Sequence, residues 1–344
     1  MSDHLITRTE SAYTYPLLIK NLLNCPIVNC PEQEIVYRDQ QRYNYTKLHE
    51  RICRLANTLR DMGVKYGDTV AVMDWDSHRY LECFYAIPMI GAVLHTVNVK
   101  LSPEQILFTI DHAEDDVLLI HNDFVPILKQ IKGRISTVRD YILLKDDENS
   151  VNTHINFSGD YENLLSNASP CAKFDDFDES TRATTFYTTG TTGMPKGVYF
   201  SHRQLVLHTM ATLAALGTPE KQGRIHQGDV YMPITPMFHV HAWGLPYVAT
   251  TLGIKQVYPG KYSPEVLLEL IDREKVTFSH CVPTILHMLF NSPNIDQFDL
   301  THWKVIIGGS ALSKVLCSEG LKRGVDIFTG YGMSETCPIL SLAH

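Results

Sequence analysis

Residues 187–197 read Tyr-Thr-Thr-Gly-Thr-Thr-Gly-Met-Pro-Lys-Gly, with four threonines, three glycines and one lysine. Glycine removes the Cβ atoms that would keep an anion away from backbone N–H groups. The threonine hydroxyls add donors, and each can also face a metal ion or its bound water. Lys196 adds a mobile positive charge. This combination suits a polyphosphate, whereas a Thr/Gly-rich loop without such order is an ordinary surface turn. It is not a Walker A loop, in which Gly-Lys-Ser/Thr opens a helix. Here Lys196 stands between Pro195 and Gly197, and the strand-like Val198-Tyr199-Phe200 follows.

Three other segments carry candidate chemistry. Residues 330–335 are Gly-Tyr-Gly-Met-Ser-Glu. Tyr331 offers a flat face for a purine, Ser334 a donor for a phosphate oxygen, and Glu335 a hard oxygen ligand for Mg²⁺. Taken alone, the segment is equally a strand-to-loop turn with a solvated glutamate. Gly308-Gly309-Ser310-Ala311 follows a strand and by itself is a glycine turn. In residues 236–243, Pro-Met-Phe-His-Val-His-Ala-Trp, His239 and His241 look like a metal pair but lack a third ligand nearby. A packed histidine and a packed Trp243 are the ordinary alternatives.

The 187–197 string closely resembles the phosphate loop of the adenylate-forming superfamily, with Thr189 in the place of the usual serine. The 330–335 segment is similar to the superfamily's Tyr-Gly-x-Thr-Glu motif, Ser334 replacing threonine. The run from His239 through Trp243 to Leu245-Pro246-Tyr247 resembles the medium- and long-chain fatty acyl-CoA synthetases. The resemblance implies ATP-dependent activation of a fatty acid to acyl-AMP and then acyl-CoA. It implies that Thr188, Thr189, Gly190, Thr191, Thr192, Gly193 and Lys196 hold the phosphates, and that Thr188 and Glu335 hold Mg²⁺. Gly308, Gly309, Ser310, Thr329, Gly330, Tyr331, Gly332, Met333 and Ser334 would frame the nucleotide. His239 would lie beside the substrate carboxylate, making Lys196, His239 and Glu335 the catalytic set. Trp243 would gate an acyl tunnel. No carboxylate is available in 238–241 to pair an α-ammonium, which disfavours amino acids. An aryl or other carboxylate, or a non-catalytic nucleotide-binding module, stays open.

Positioning these loops requires strands that end where the loops begin. Helices with capped starts at Ser102-Pro103-Glu104 and Ser263-Pro264-Glu265 alternate with short apolar strands along the chain. Alternation of this kind predicts an α/β fold with largely parallel sheets covered by helices. Ligands in such sheets lie beyond the carboxyl ends of strands, where the segments at Thr188, Gly308 and Gly330 all begin. Residues 34–45 read as a hairpin. A helix from Thr46 puts Leu48, Ile52, Leu55, Leu59 and Met62 on one face and stops at Gly63. Residues 145–178 read as a long polar surface connection, and an apolar helix is expected near 242–251. Within one AMP-binding core spanning 1–344, the expected halves are 67–228 and 13–62 plus 229–344.

Of the 344 residues, 44% are hydrophobic and 20% charged, ordinary for a globular protein. The net charge of −8 without a basic run argues against nucleic acid. The polar first ten residues lack a signal-peptide core, and the apolar run 84–94 is too short to span a membrane. Eight cysteines without Cys-x-x-Cys point to reduced thiols in the cytoplasm. Peripheral membrane association and a homodimer are compatible with this composition. The resemblance further implies a C-terminal domain, with a ribose-binding aspartate and a catalytic lysine, that residues 1–344 lack. The chain alone is therefore expected to bind ATP or AMP weakly and to form almost no acyl-adenylate. The implied small molecules are ATP, Mg²⁺, coenzyme A and a fatty acid.

Overall fold

The computed structural model describes residues 4, 6–7, 9–147, 154–189 and 193–343. Gly190, Thr191 and Thr192 of the candidate phosphate loop lie outside these described residues. Fifteen strands are described, in two sheets. The first nine are β1 (Glu34–Tyr37), β2 (Gln41–Asn44), β3 (Thr69–Met73), β4 (Val93–Thr96), β5 (Asp115–His121), β6 (Asp140–Leu144), β7 (Gly159–Asp160), β8 (Arg182–Thr188) and β9 (Lys196–Ser201). The others are β10 (Val230–Pro233), β11 (Lys255–Tyr258), β12 (Phe278–Cys281), β13 (Lys304–Ile307), β14 (Asp326–Gly332) and β15 (Ile339–Ala343).

One sheet runs β7-β6-β5-β3-β4-β8-β9 and the other β15-β14-β13-β12-β10-β11-β1-β2. Pairing is parallel except for β1–β2, β8–β9 and β14–β15. Each antiparallel pair closes an edge of its sheet, as a short connection demands. The central strand β3 is buried along its whole length because helices cover both faces of its sheet. The fold is thus α/β with mostly parallel, helix-covered sheets.

Local signals explain the element starts. The Asn44 side chain accepts the Lys47 N–H and caps the helix Tyr45–Asp61, which buries Leu48, Ile52, Leu55 and Leu59 and packs against the helix His78–Met89. Ser201 and Gln204 form a capping box at the helix His202–Gly217, as Ser102 and Gln105 do at Pro103–His112. Two expectations change. The connection 145–178 holds β7 and the helix Tyr161–Asn167, which Asp160 caps. It lacks a long period because both pieces are short. The helix expected near 242–251 begins only at Leu245 (Leu245–Leu252), for the five residues before it coil the other way.

Candidate active site

A cavity of about 210 Å³ opens beyond the carboxyl ends of β13 and β14. Gly308 and Gly309 line one wall, residues 330–334 a second, His239, Val240 and Trp243 a third, and Pro338 with Ile339 a fourth. A second groove, of about 510 Å³, lies across β14 and takes in Ser310 and Thr329. Tyr331 and Gly330 line both spaces, so the β14 end is the partition between them. The nucleotide-side residues expected from the sequence are therefore gathered around one strand end.

Glycine is required here by close approach. A Cβ on Gly308 would lie 2.9 Å from both the Gly330 carbonyl oxygen and the Trp243 ring. One on Gly332 would lie 2.0 Å from the Pro338 carbonyl oxygen. Backbone and indole fill the volume that a side chain would need.

The third wall is tied to the other sheet. The Thr96 hydroxyl at the end of β4 donates to the Phe238 carbonyl (2.9 Å), and the Met237 N–H donates to Asp76 Oδ1 (2.6 Å). Asp76 lies just beyond β3, and burial pushes its carboxyl up to about 8, against the Met237 hydrogen bond. His239 is exposed at the cavity rim, but the surrounding protein desolvates it, and the charge of Lys100 adds to that effect. Both lower its pKa, so the imidazole is neutral at pH 7. Lys100 follows β4, and its charge acts on Asp76 as well.

Val240, His241, Ala242 and Trp243 all have φ between 47° and 59°, and Gly244 continues at 75°. This is a left-handed turn built mostly from non-glycine residues, a conformation costing roughly 1–2 kcal/mol per residue. Its consequence is directional. Val240 and Ala242 face one apolar core, while Trp243 joins a separate cluster with Tyr231, Phe278, Ile306 and Phe328. His241 is fully buried among Phe84, Phe186 and Phe200, with ring centroids at 5.6, 5.5 and 6.5 Å. Neither of its ring nitrogens has a hydrogen-bond partner among the described residues, and desolvation pushes its pKa down to about 3.

The described residues of the candidate phosphate loop stand apart from the cavity. Thr188 pairs with Lys196 across the β8–β9 hairpin; Thr188 is half-buried, and Thr189 and Lys196 are exposed. Gly193 has φ 108°, and no atom of the described residues lies within 4 Å of where its Cβ would stand. Glu335, in the short turn Ser334–Thr336, is exposed. Thr188, Thr189, Gly193, Lys196 and Glu335 do not line the 210 Å³ cavity. Sequence reasoning missed Asp76, Lys100 and the Pro338-Ile339 wall. The usable signal for the first two was their place just beyond the buried strands β3 and β4.

Residues 27–344 match the AMP-binding enzyme family. The chain belongs to this family. It is 38% identical over 314 residues to a long-chain-fatty-acid–CoA ligase of Thermus thermophilus, covering 90% of this chain and 56% of that protein. It is 35% identical over 301 residues to a 3-methylmercaptopropionyl-CoA ligase of Ruegeria pomeroyi, covering 86% and 54%. The solved anthranilate–CoA ligase AuaEII, in complex with anthranoyl-AMP, superposes with a TM-score of 0.84 at 20% identity, covering 95% of this chain and 62% of that one. At that identity the likeness is one of fold. The chain spans about half the length of the curated relatives it matches. Among the described residues, no helix is long and apolar enough to cross a membrane.

Proposed function

We propose that this chain carries the nucleotide and acid sites of an AMP-forming fatty acid–CoA ligase. The observation that carries the proposal is the cavity at the β13 and β14 ends, where two close-approach glycine segments face His239 and Trp243. Gly308, Gly309 and Tyr331 would frame adenine, with Thr329, Met333 and Ser334 beside the sugar and phosphate, and Ser310 across the β14 partition. Residues 188–197 would hold the β- and γ-phosphates. The neutral His239 would orient the carboxylate for attack on the α-phosphorus, which expels pyrophosphate and leaves acyl-AMP, because a neutral imidazole donates a hydrogen bond without tying up the nucleophile in an ion pair. Coenzyme A thiol would then displace AMP.

One carboxylate, Glu335, and one hydroxyl, Thr188, fit Mg²⁺, which is commonly held by one or two carboxylates, substrate phosphates and water. They make no three-ligand cluster, and the described residues contain none. Bound there, the ion would neutralise phosphate charge. The proposal also divides the chain into halves, 67–228 and 13–62 with 229–344, supported by the way the strands fall into the two sheets. Eight free thiols suit a reducing compartment such as the cytoplasm.

Trp243 closes the cavity toward the sheet, so a long chain requires the indole to move. A short or aryl acid, favoured by the small cavity, is the second reading. The test is titration of the chain with non-hydrolysable acyl-sulfamoyl adenosines of increasing length. A fatty-acid site predicts affinity rising about fourfold per methylene until the tunnel ends. A flat series, or one exceeded by a benzoyl probe, overturns the fatty-acid assignment.

A further inference from the structure

Behind Trp243 a largely apolar cluster adjoins a buried polar pair. His280 on β12 stacks on Tyr231 of β10, with ring centroids 5.9 Å apart and planes within 5°. The Tyr231 hydroxyl lies 2.9 Å from His280 Nε2. Both side chains are fully buried. The remaining ring nitrogen, Nδ1, has no hydrogen-bond partner among the described residues. Strand register sets Ile306 beside His280 and Phe328 beside Ile306, so apolar side chains pack on that side, while the charge of Asp76 reaches Tyr231 and Thr235 bonds the His280 backbone carbonyl. Burying an unpaired polar atom is costly, and a hydrophobic residue here would avoid that cost. Desolvation pushes the imidazole down to about 3, so it is neutral in the folded chain and suits an uncharged partner.

The indole of Trp243 is what separates this nitrogen's ring from the cavity. It lies 5.1 Å from the His280 ring on one side and within 2.9 Å of where a Gly308 Cβ would stand on the other. Gly308 lines the cavity, so displacing the indole joins the cavity to the His280 ring. The backbone that holds the indole is the left-handed turn, whose intrinsic preference is to leave that conformation.

We infer that the acyl site selects acids bearing a hydroxyl group partway along the chain, which His280 recognises once Trp243 moves aside. A hydroxyl is the substituent that suits either tautomer: it accepts from Nδ1–H when Tyr231 donates to Nε2, and donates to Nδ1 when Nε2–H donates to Tyr231. A charged tail, as in a dicarboxylic acid, would be desolvated against a neutral ring and is excluded. This inference rests on the carboxylate–CoA ligase assignment.

The experiment titrates the chain with octanoyl-sulfamoyl adenosine and its analogues hydroxylated at successive carbons. The expected result is one hydroxylated probe binding about 2- to 10-fold more tightly than the plain octanoyl probe, the range of a neutral hydrogen bond. In His280→Phe the ratio between the two should fall to one or below. His280→Gln, which keeps one donor and one acceptor, should restore part of the preference. A wild-type series in which every hydroxylated probe is weaker than octanoyl overturns the inference, even if both variants fail to fold. So does a preference that survives in His280→Phe. If no acyl probe binds more tightly than AMP, the ligase assignment itself fails. Tight plain-chain binding without a hydroxyl preference removes only the inference about His280.

Discussion

The two sides of the candidate site are built in opposite ways. On the nucleotide side, Tyr331, Met333, Glu335, Lys196 and Thr189 are exposed, and glycines let backbone approach backbone. On the acid side, Trp243, His241 and His280 are buried, and a left-handed turn carries the first two. Under the proposed assignment, the first side would offer a ligand accessible charge and main-chain geometry directly. The second would rely on packing that must change before a chain can enter. Selectivity for the acid is therefore expected to depend on core residues, and phosphate handling on surface ones.

The sharpest way to break this contrast is to remove charge from the exposed side. Lys196→Ala or Glu335→Ala, in a protein competent for the reaction, should lower acyl-adenylate formation by about 10²–10³, as loss of one preorganised electrostatic group does. Both side chains are exposed, so melting temperatures should barely move. Near-normal pyrophosphate release by both variants would show that the nucleotide side does not work through these groups.

A second effect belongs to the glycines. Gly332→Ala must displace the Pro338 carbonyl, which is backbone and cannot swing away. A destabilisation of about 1–3 kcal/mol is expected, in the range of overpacking. Thermal melting checks it, and AMP binding should weaken in parallel because Gly332 lines the cavity. An unchanged melt would mean that β14 and the 338–339 wall are looser than their contacts indicate.

These contrasts also explain what the sequence disclosed. The strand–helix alternation, the caps at Ser102, Ser201 and Ser263, and the glycine segments at 308 and 330 depend on local chemistry, so each was legible residue by residue. The left-handed turn was not. Val240, His241, Ala242 and Trp243 have no local reason to adopt positive φ, and the conformation is imposed by two cores that claim alternate side chains. Asp76 and Lys100 escaped for a related reason. Nothing adjacent in sequence marks them, and only the approach of 236–239 to the β3 and β4 ends brings them to the site. His280 reads as one residue of a buried strand until the register sets it behind Trp243.

Replacing Trp243 tests the acid side with a smaller expected effect. Trp243→Ala should shift relative turnover toward longer chains, with a much smaller change in ATP affinity. A competition assay with a mixture of acids reads this directly. A uniform fall in all rates with a lower melting temperature would make Trp243 a packing residue and erase the contrast between the two sides.

The smallest effect is one of pH. Desolvation holds His241 and His280 at about 3 in the folded chain and His202 and His208 at about 4, whereas an exposed imidazole in the unfolded chain titrates near 6.5. As pH falls from about 6.5 toward 3, the unfolded chain takes up protons that the folded chain refuses. Stability present above 6.5 is therefore lost through that window, by up to roughly 1.4 kcal/mol per pH unit for each such group. His241→Phe removes one of the four. Its cage of Phe84, Phe186, Phe200 and Tyr247 already suits an aromatic ring, and two orphaned nitrogens disappear. The variant should be as stable as the parent or more so at pH 7 and should lose less stability between pH 6.5 and 4.5. Denaturant midpoints at the two pH values measure this. An unchanged pH slope would mean that His241 reaches solvent or a partner in solution, and that the acid side is less tightly closed than its packing implies.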